Sequence, residues 1–367
     1  MKTKQVLGLG LLLGAASLLA GCWERPPVQP IQHGYRGTGM VQVYNPRTVA
    51  KQADLNKVPD ALPAAPADGP KAKEIYKNVQ VLGDLSVAQF TRHMASITQW
   101  VAPKQGCIYC HNPANFAEDS KYTKVVARRM IQMTQHINGN WQQHVAAVGV
   151  TCYTCHRGHP NPQDQNGQKA YWFAAGDPAH KGGMLGWRDG QDEPAYSVGK
   201  ASLPNEPFSR FLLGDQNIRV QSEHALPMGD NKQNIKNTEW TYGLMIHMSK
   251  SLGVNCDYCH NSRAFSSWPQ SAPQRVTAWY GIRMVRNLNN EYLDPLKPVY
   301  NADGLGPKGD APKLFCVTCH KGAYKPLYGQ SMLQDFPELA TPTTDGKPLY
   351  PVDGKPVVDE KVAAATP

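Results

Sequence analysis

Long apolar runs, odd cysteines and charge are all scarce in this 367-residue chain. Beyond the first 22 residues no segment approaches about eighteen consecutive apolar residues, so the remainder of the sequence carries no signal for a membrane-spanning helix. Asp, Glu, Lys and Arg make up only 18% of the residues, against 32 Gly and 30 Pro, which argues for a loop-rich fold rather than a regular one. No βαβ pattern surrounds any cysteine pair, which removes the setting that a thioredoxin-like redox disulfide needs. Of nine cysteines, only Cys22 stands outside a Cys-x-x-Cys pair.

What is present begins at the amino terminus. MKTKQ is basic, VLGLGLLLGAASLLA is apolar over about fifteen residues, too short to cross a bilayer, and together they read as an export signal over residues 1–21. Leu19-Ala20-Gly21-Cys22 resembles the lipobox of bacterial lipoproteins, which implies cleavage before Cys22 and a diacylglycerol thioether on its sulfur. Two acyl chains anchor stably where one does not. The mature chain is therefore expected on a membrane face, held by lipid.

The other eight cysteines form four pairs, each followed at once by histidine: CIYCH at 107–111, CYTCH at 152–156, CDYCH at 256–260 and CVTCH at 316–320. A structural zinc site needs four tetrahedral ligands, and a histidine adjacent to a cysteine ligand is poorly placed to share its metal. Covalent c-type haem attachment uses all five positions: the thiols of Cys107 and Cys110, Cys152 and Cys155, Cys256 and Cys259, Cys316 and Cys319 would hold four haems. His111, His156, His260 and His320 would be their proximal iron ligands. The formal net charge of +9 falls to +7 without Lys2 and Lys4, and the propionates of four haems would offset it by about −8. Net charge then gives no reason for a nucleic-acid partner.

The motifs alternate in kind. The first and third read CIYCHNPANF and CDYCHNSRAF, sharing Tyr, Asn and a Phe nine residues past the first cysteine; the second and fourth read CYTCHRG and CVTCHKG. The two pairs are offset by 149 residues, as in a duplicated two-haem unit. The predicted fold is mainly α with extensive irregular loops, built from two pseudo-symmetric two-haem halves. The expected organisation is an irregular, Pro- and Ala-rich arm over 22–70, a first half over 71–160, an irregular connector over 161–238, a second half over 239–330 and a tail over 331–367. The arm, the connector and the tail are expected to bury little.

Each haem iron also needs a partner opposite its histidine, and helical spacing offers candidates. Ser86 and Gln89 form a capping box that starts a helix stopped by Pro103, with Phe90, Met94, Ile97 and Val101 on one face; Met94 is the candidate, and His93 points about 100° away, toward solvent. After the first motif Val126, Met130, Met133 and Ile137 share a face. Before the third, in a helix ending at Gly253, Met245 and Met248 lie three apart and spacing does not separate them. After the third, the phrase IRM offers Met284.

Together with the lipobox and the four ordered motifs, the runs YKNVQVLGDLS, VVARRM, VAAVGVTCYTCHRG and WYGIRMVRNLN closely resemble the tetrahaem cytochrome subunit of purple-bacterial photosynthetic reaction centres, over roughly residues 22–340. The resemblance implies an electron-transfer subunit rather than an enzyme. It would sit on the periplasmic face of the photosynthetic membrane, bound to the reaction-centre membrane subunits, and return electrons to the photo-oxidised special pair. A soluble cytochrome c or high-potential iron-sulfur protein would refill it. The resemblance also assigns distal ligands: Met94, Met130 and Met245 for the first three haems, and His144, from the first half, for the fourth in place of Met284. It places the third motif's haem nearest the special pair. The competing class is a periplasmic multihaem reductase, which would need an open iron face, or a general multihaem electron carrier.

Overall fold

The computed structural model describes residues 27–32, 41–162, 203, 208–221, 233–306 and 309–340; Cys22 and the signal segment lie outside them. Helices joined by irregular loops make up the described residues, with one two-stranded sheet in which β1 (Gln29–Gln32) pairs antiparallel with β2 (Val41–Tyr44). Helix α1 (Pro46–Ala53) follows, capped by the Asn45 side chain. Two of the predicted helices then appear where the sequence places them, followed by one that it did not announce. Helix α2 (Val87–Val101) opens on the reciprocal Ser86–Gln89 capping box and closes two residues before Pro103. Helix α3 (Tyr122–Asn140) follows the first motif. The second motif itself forms a short helix, α4 (Cys152–His156).

The later elements repeat this order. Helix α5 (Ile235–Leu252) ends at Gly253, whose φ of 65° is the left-handed cap that glycine accepts without strain. Helix α6 (Gln274–Leu288) follows the third motif, and the fourth forms α7 (Cys316–His320). The first and third motifs instead sit on 3₁₀ turns. In α4 and α7 the chain leaves the helix through a left-handed residue directly after the histidine, Arg157 and Lys321. The glycine that comes next hydrogen-bonds to the last turn of a long helix, Gly158 N–H to Trp100 O and Gly322 N–H to Ser251 O, both at 2.8 Å.

Two apolar clusters make the core, and neither respects the expected segment boundaries. One joins Met133, Ile137 and Trp141 of the α3 region to Leu244, Ile282, Met284 and Leu288. Phe208, Phe211 and Leu212 fill its centre, at 0 to 2% exposure. The connector therefore buries a core segment instead of lying outside it. The other cluster packs Trp100, Ile131 and Val81 against Leu327, Met332, Phe336 and Leu339. Residues 331–340, grouped at first with the tail, are thus core of the α2 region; full burial of a side chain such as Phe336 contributes about 1.5–3 kcal/mol. The arm buries polar side chains: Gln42 exchanges two hydrogen bonds with Asn255, beside Cys256, and Asn56 bonds to Lys321 O, Arg157 and Leu327 N–H.

Candidate functional site

The eight motif cysteines form no disulfide with one another. Burial pushes Cys152 and Cys316 up to about 12 and Cys259 to about 11. The second cysteines of α4 and α7, Cys155 and Cys319, touch each other, so these two motifs stand back to back. Among the described residues no group of three or more His, Cys, Asp or Glu side chains is arranged to hold a metal ion.

The histidines share one arrangement. His111 Nδ1 lies 3.1 Å from Phe116 O and His260 Nδ1 2.9 Å from Phe265 O, each carbonyl belonging to the Phe that stacks on the same imidazole. His156 Nδ1 lies 2.8 Å from His159 O and His320 Nδ1 2.9 Å from Ala323 O. A carbonyl only accepts, so Nδ1 must carry the proton in all four, and Nε2 keeps its lone pair for a metal. Burial lowers His156 and His320 to about 4 and also holds His111 and His260 below the ordinary imidazole range. Neutral imidazole is the form that binds iron.

His144 follows the same rule from a different element. It stands in a short helical turn after α3, and its Nδ1 donates to Thr277 O of α6 at 2.9 Å. Its ring lies across from that of His320, 6.1 Å away between centroids with the two planes at 66°. Two metal–nitrogen bonds of about 2 Å each, plus the distance of about 1 Å from each nitrogen to its ring centroid, call for about 6 Å. The residues present therefore fit an iron held between two imidazoles.

Among the methionines, Met94, Met130, Met245 and Met248 are half-buried, whereas Met284 is 7% exposed and belongs to the core. His93 corrects the expectation that it faces solvent. It is fully buried against Phe336, lowered to about 4 by desolvation and then by Arg92, and neither ring nitrogen has a partner among the described residues. The helical wheel gave the right direction, but the segment that covers it comes from residues 332–339.

Charged side chains fix the loops. Lys124, 8% exposed, donates to the carbonyls of Phe116, Ala117 and Glu118 at 2.8 to 2.9 Å and pairs with Asp119. Asp119 also takes both arms of the Arg128 fork at 2.8 Å, which holds its carboxyl well below the usual range. Arg275 ties the corresponding loop through Ser267 O and Ser271 Oγ. Arg157 crosses from α4 to Cys319 O of α7, and Lys321 crosses back to Pro162 O at 2.5 Å. The Phe nine residues past Cys107 and Cys256, and the basic residue after His156 and His320, thus have tasks that only the fold reveals.

The photosynthetic reaction-centre cytochrome c subunit family model matches residues 24–340. The chain belongs to this family. It is 55% identical over 331 residues to the photosynthetic reaction center cytochrome c subunit of Rubrivivax gelatinosus, covering 90% of this chain and 88% of that one. It is 47% identical over 340 residues to that of Thermochromatium tepidum, covering 92% and 82%, and 42% identical over 346 residues to that of Roseobacter denitrificans, covering 91% of both. Family membership makes this a haem-bearing electron-transfer protein of photosynthesis. Among the described residues no helix is long and apolar enough to cross a membrane.

Proposed function

We propose that this chain is a four-haem electron wire that re-reduces the photo-oxidised special pair of a photosynthetic reaction centre. The observation that carries the reading is the arrangement repeated at every motif, an imidazole with Nδ1–H committed to a backbone carbonyl and Nε2 left for a metal. A bound c-type haem supplies a one-electron couple. The chain attaches it through Cys107 and Cys110, Cys152 and Cys155, Cys256 and Cys259, and Cys316 and Cys319, with His111, His156, His260 and His320 as proximal ligands.

Met94, Met130, Met245 and His144 complete the coordination. The parallel glycine bonds support Met245 over Met248: Gly158 bonds Trp100 O and Gly322 bonds Ser251 O, and Met245 stands to Ser251 as Met94 stands to Trp100. The burial of Met284 and the position of the His144 ring across from that of His320 support a bis-histidine fourth haem. The same parallels, with Lys124 and Arg275 tying matching loops, support two pseudo-symmetric two-haem halves. The subunit binds the reaction-centre membrane subunits at the periplasmic face, is anchored through a diacylated Cys22, and takes electrons from a soluble cytochrome c or high-potential iron-sulfur protein.

Flash photolysis of membranes tests this directly. Haem oxidation should follow special-pair oxidation kinetically, and its absence would remove the proposal. A multihaem reductase would instead show high-spin iron and bind carbon monoxide when reduced and native. The supply of a distal side chain for each motif favours the wire.

A further inference from the structure

Gly281 sits inside α6, where alanine is otherwise preferred and where a glycine needs a reason. Its φ is not positive, so the reason is not backbone conformation. A Cβ built on it would lie 2.5 Å from Cε1, 2.8 Å from Nδ1 and 3.2 Å from Nε2 of His144. The obstruction would be an imidazole ring, which is rigid and is tied through that same Nδ1 to Thr277 O. Thr277 stands one helical turn before Gly281. To reach a carbonyl within a helix, a side chain must approach the backbone, and the residue four positions later overhangs that carbonyl. Only a residue without Cβ leaves the approach open.

The first half supplies an internal comparison. Aligning WYGIRM with VVARRM puts Gly281 against Ala127 and Met284 against Met130. The half with alanine keeps its methionine half-buried. The half with glycine admits an imidazole from the other half and sinks its methionine into the core.

We propose that Gly281 is a positioning residue that selects the distal ligand of the fourth haem, by giving His144 both its space and its hydrogen bond to Thr277. This rests on His144 being that ligand, and the test separates the two. Gly281→Ala, His144→Ala and the double variant are made in the full-length chain within its reaction-centre complex. Oxidised samples are read by electron paramagnetic resonance for bis-imidazole low-spin iron, and reduced samples for carbon monoxide binding. Gly281→Ala is expected to abolish the bis-imidazole signal and open one haem per chain to carbon monoxide, leaving the other three unchanged. If His144→Ala removes the signal and Gly281→Ala keeps it, the positioning role is overturned and the ligand assignment stands. If His144→Ala keeps the signal, the ligand assignment fails and the proposal falls with it. Yield of haem-loaded protein extends the test to a variant that folds poorly. Gly281→Ala should lower it beside His144 and not beside Ala at position 144, and equal loss in both backgrounds would overturn the steric argument.

Discussion

Asn138 offers the sharpest quantitative test of how the chain presents its second motif. The side chain is 4% exposed and makes three buried bonds: Nδ2 to Val150 O at 2.9 Å, Nδ2 to Leu339 O at 3.0 Å, and Oδ1 from Val150 N–H at 2.7 Å. Val150 lies just ahead of Cys152, so this clamp sets where α4 starts relative to α3. Asn138→Ala strands one buried donor and two carbonyls. Each satisfied bond contributes about 1 kcal/mol net and each stranded partner costs about 1–3 kcal/mol. Because carbonyls tolerate a missing bond better than an N–H does, a loss of about 3 kcal/mol is a reasonable centre. At about 1.4 kcal/mol per tenfold, the Val150 amide should then exchange its hydrogen roughly a hundredfold faster in the haem-loaded protein. Asn289 clamps Leu314, ahead of Cys316, in the same way. Asn289→Ala should accelerate exchange at Leu314 and spare Val150. Val150 exchange that changes by less than about threefold in Asn138→Ala would refute the clamp.

Other outcomes follow from the same contacts. His144→Met should raise one midpoint potential in a resolved redox titration, since a Met/His iron lies above a bis-histidine one, whereas Met284→Leu should leave all four nearly unchanged. Asp119 has a depressed carboxyl because the Arg128 guanidinium grips it, so its stabilisation is complete above the ordinary carboxylate value of about 4 and is lost as pH falls below it. Amide exchange in the loop 116–119 should accelerate in acid, while the Arg275-tied loop 265–271 should lag behind. Lys124→Met should loosen the 116–119 loop at neutral pH, because three carbonyls lose their shared donor. Mass spectrometry of the mature protein should find four covalent haems and a lipid on Cys22, the lipid lost in Cys22→Ser.

Local chemistry was legible in the sequence. Ser86 with Gln89, Pro103 and Gly253 gave α2 and α5 their ends because caps are short-range and self-contained. The two kinds of motif that differ in sequence also differ in structure, one on 3₁₀ turns and the other on short helices with left-handed exits. What escaped was whatever depends on a distant cover. His93 was assigned to solvent because Phe336 could not be known to lie on it. Phe211 and Leu212 lie in the connector expected to bury little, yet Leu212 is fully buried. The internal repeat favoured Met284 opposite His320 and only the family resemblance pointed to His144; the close approach of the His144 ring to Gly281 is visible only in three dimensions.

Asn56 joins the arm to both back-to-back motif helices at once, through Lys321 O, the Arg157 guanidinium and Leu327 N–H. Asn56 and Lys321 are 265 residues apart in sequence, so the amino-terminal stretch waits for nearly the whole chain before it can dock. Contacts of such sequence separation are slow to form. The arm is in this sense a clasp fastened last, closing over the second and fourth motifs once both are in place.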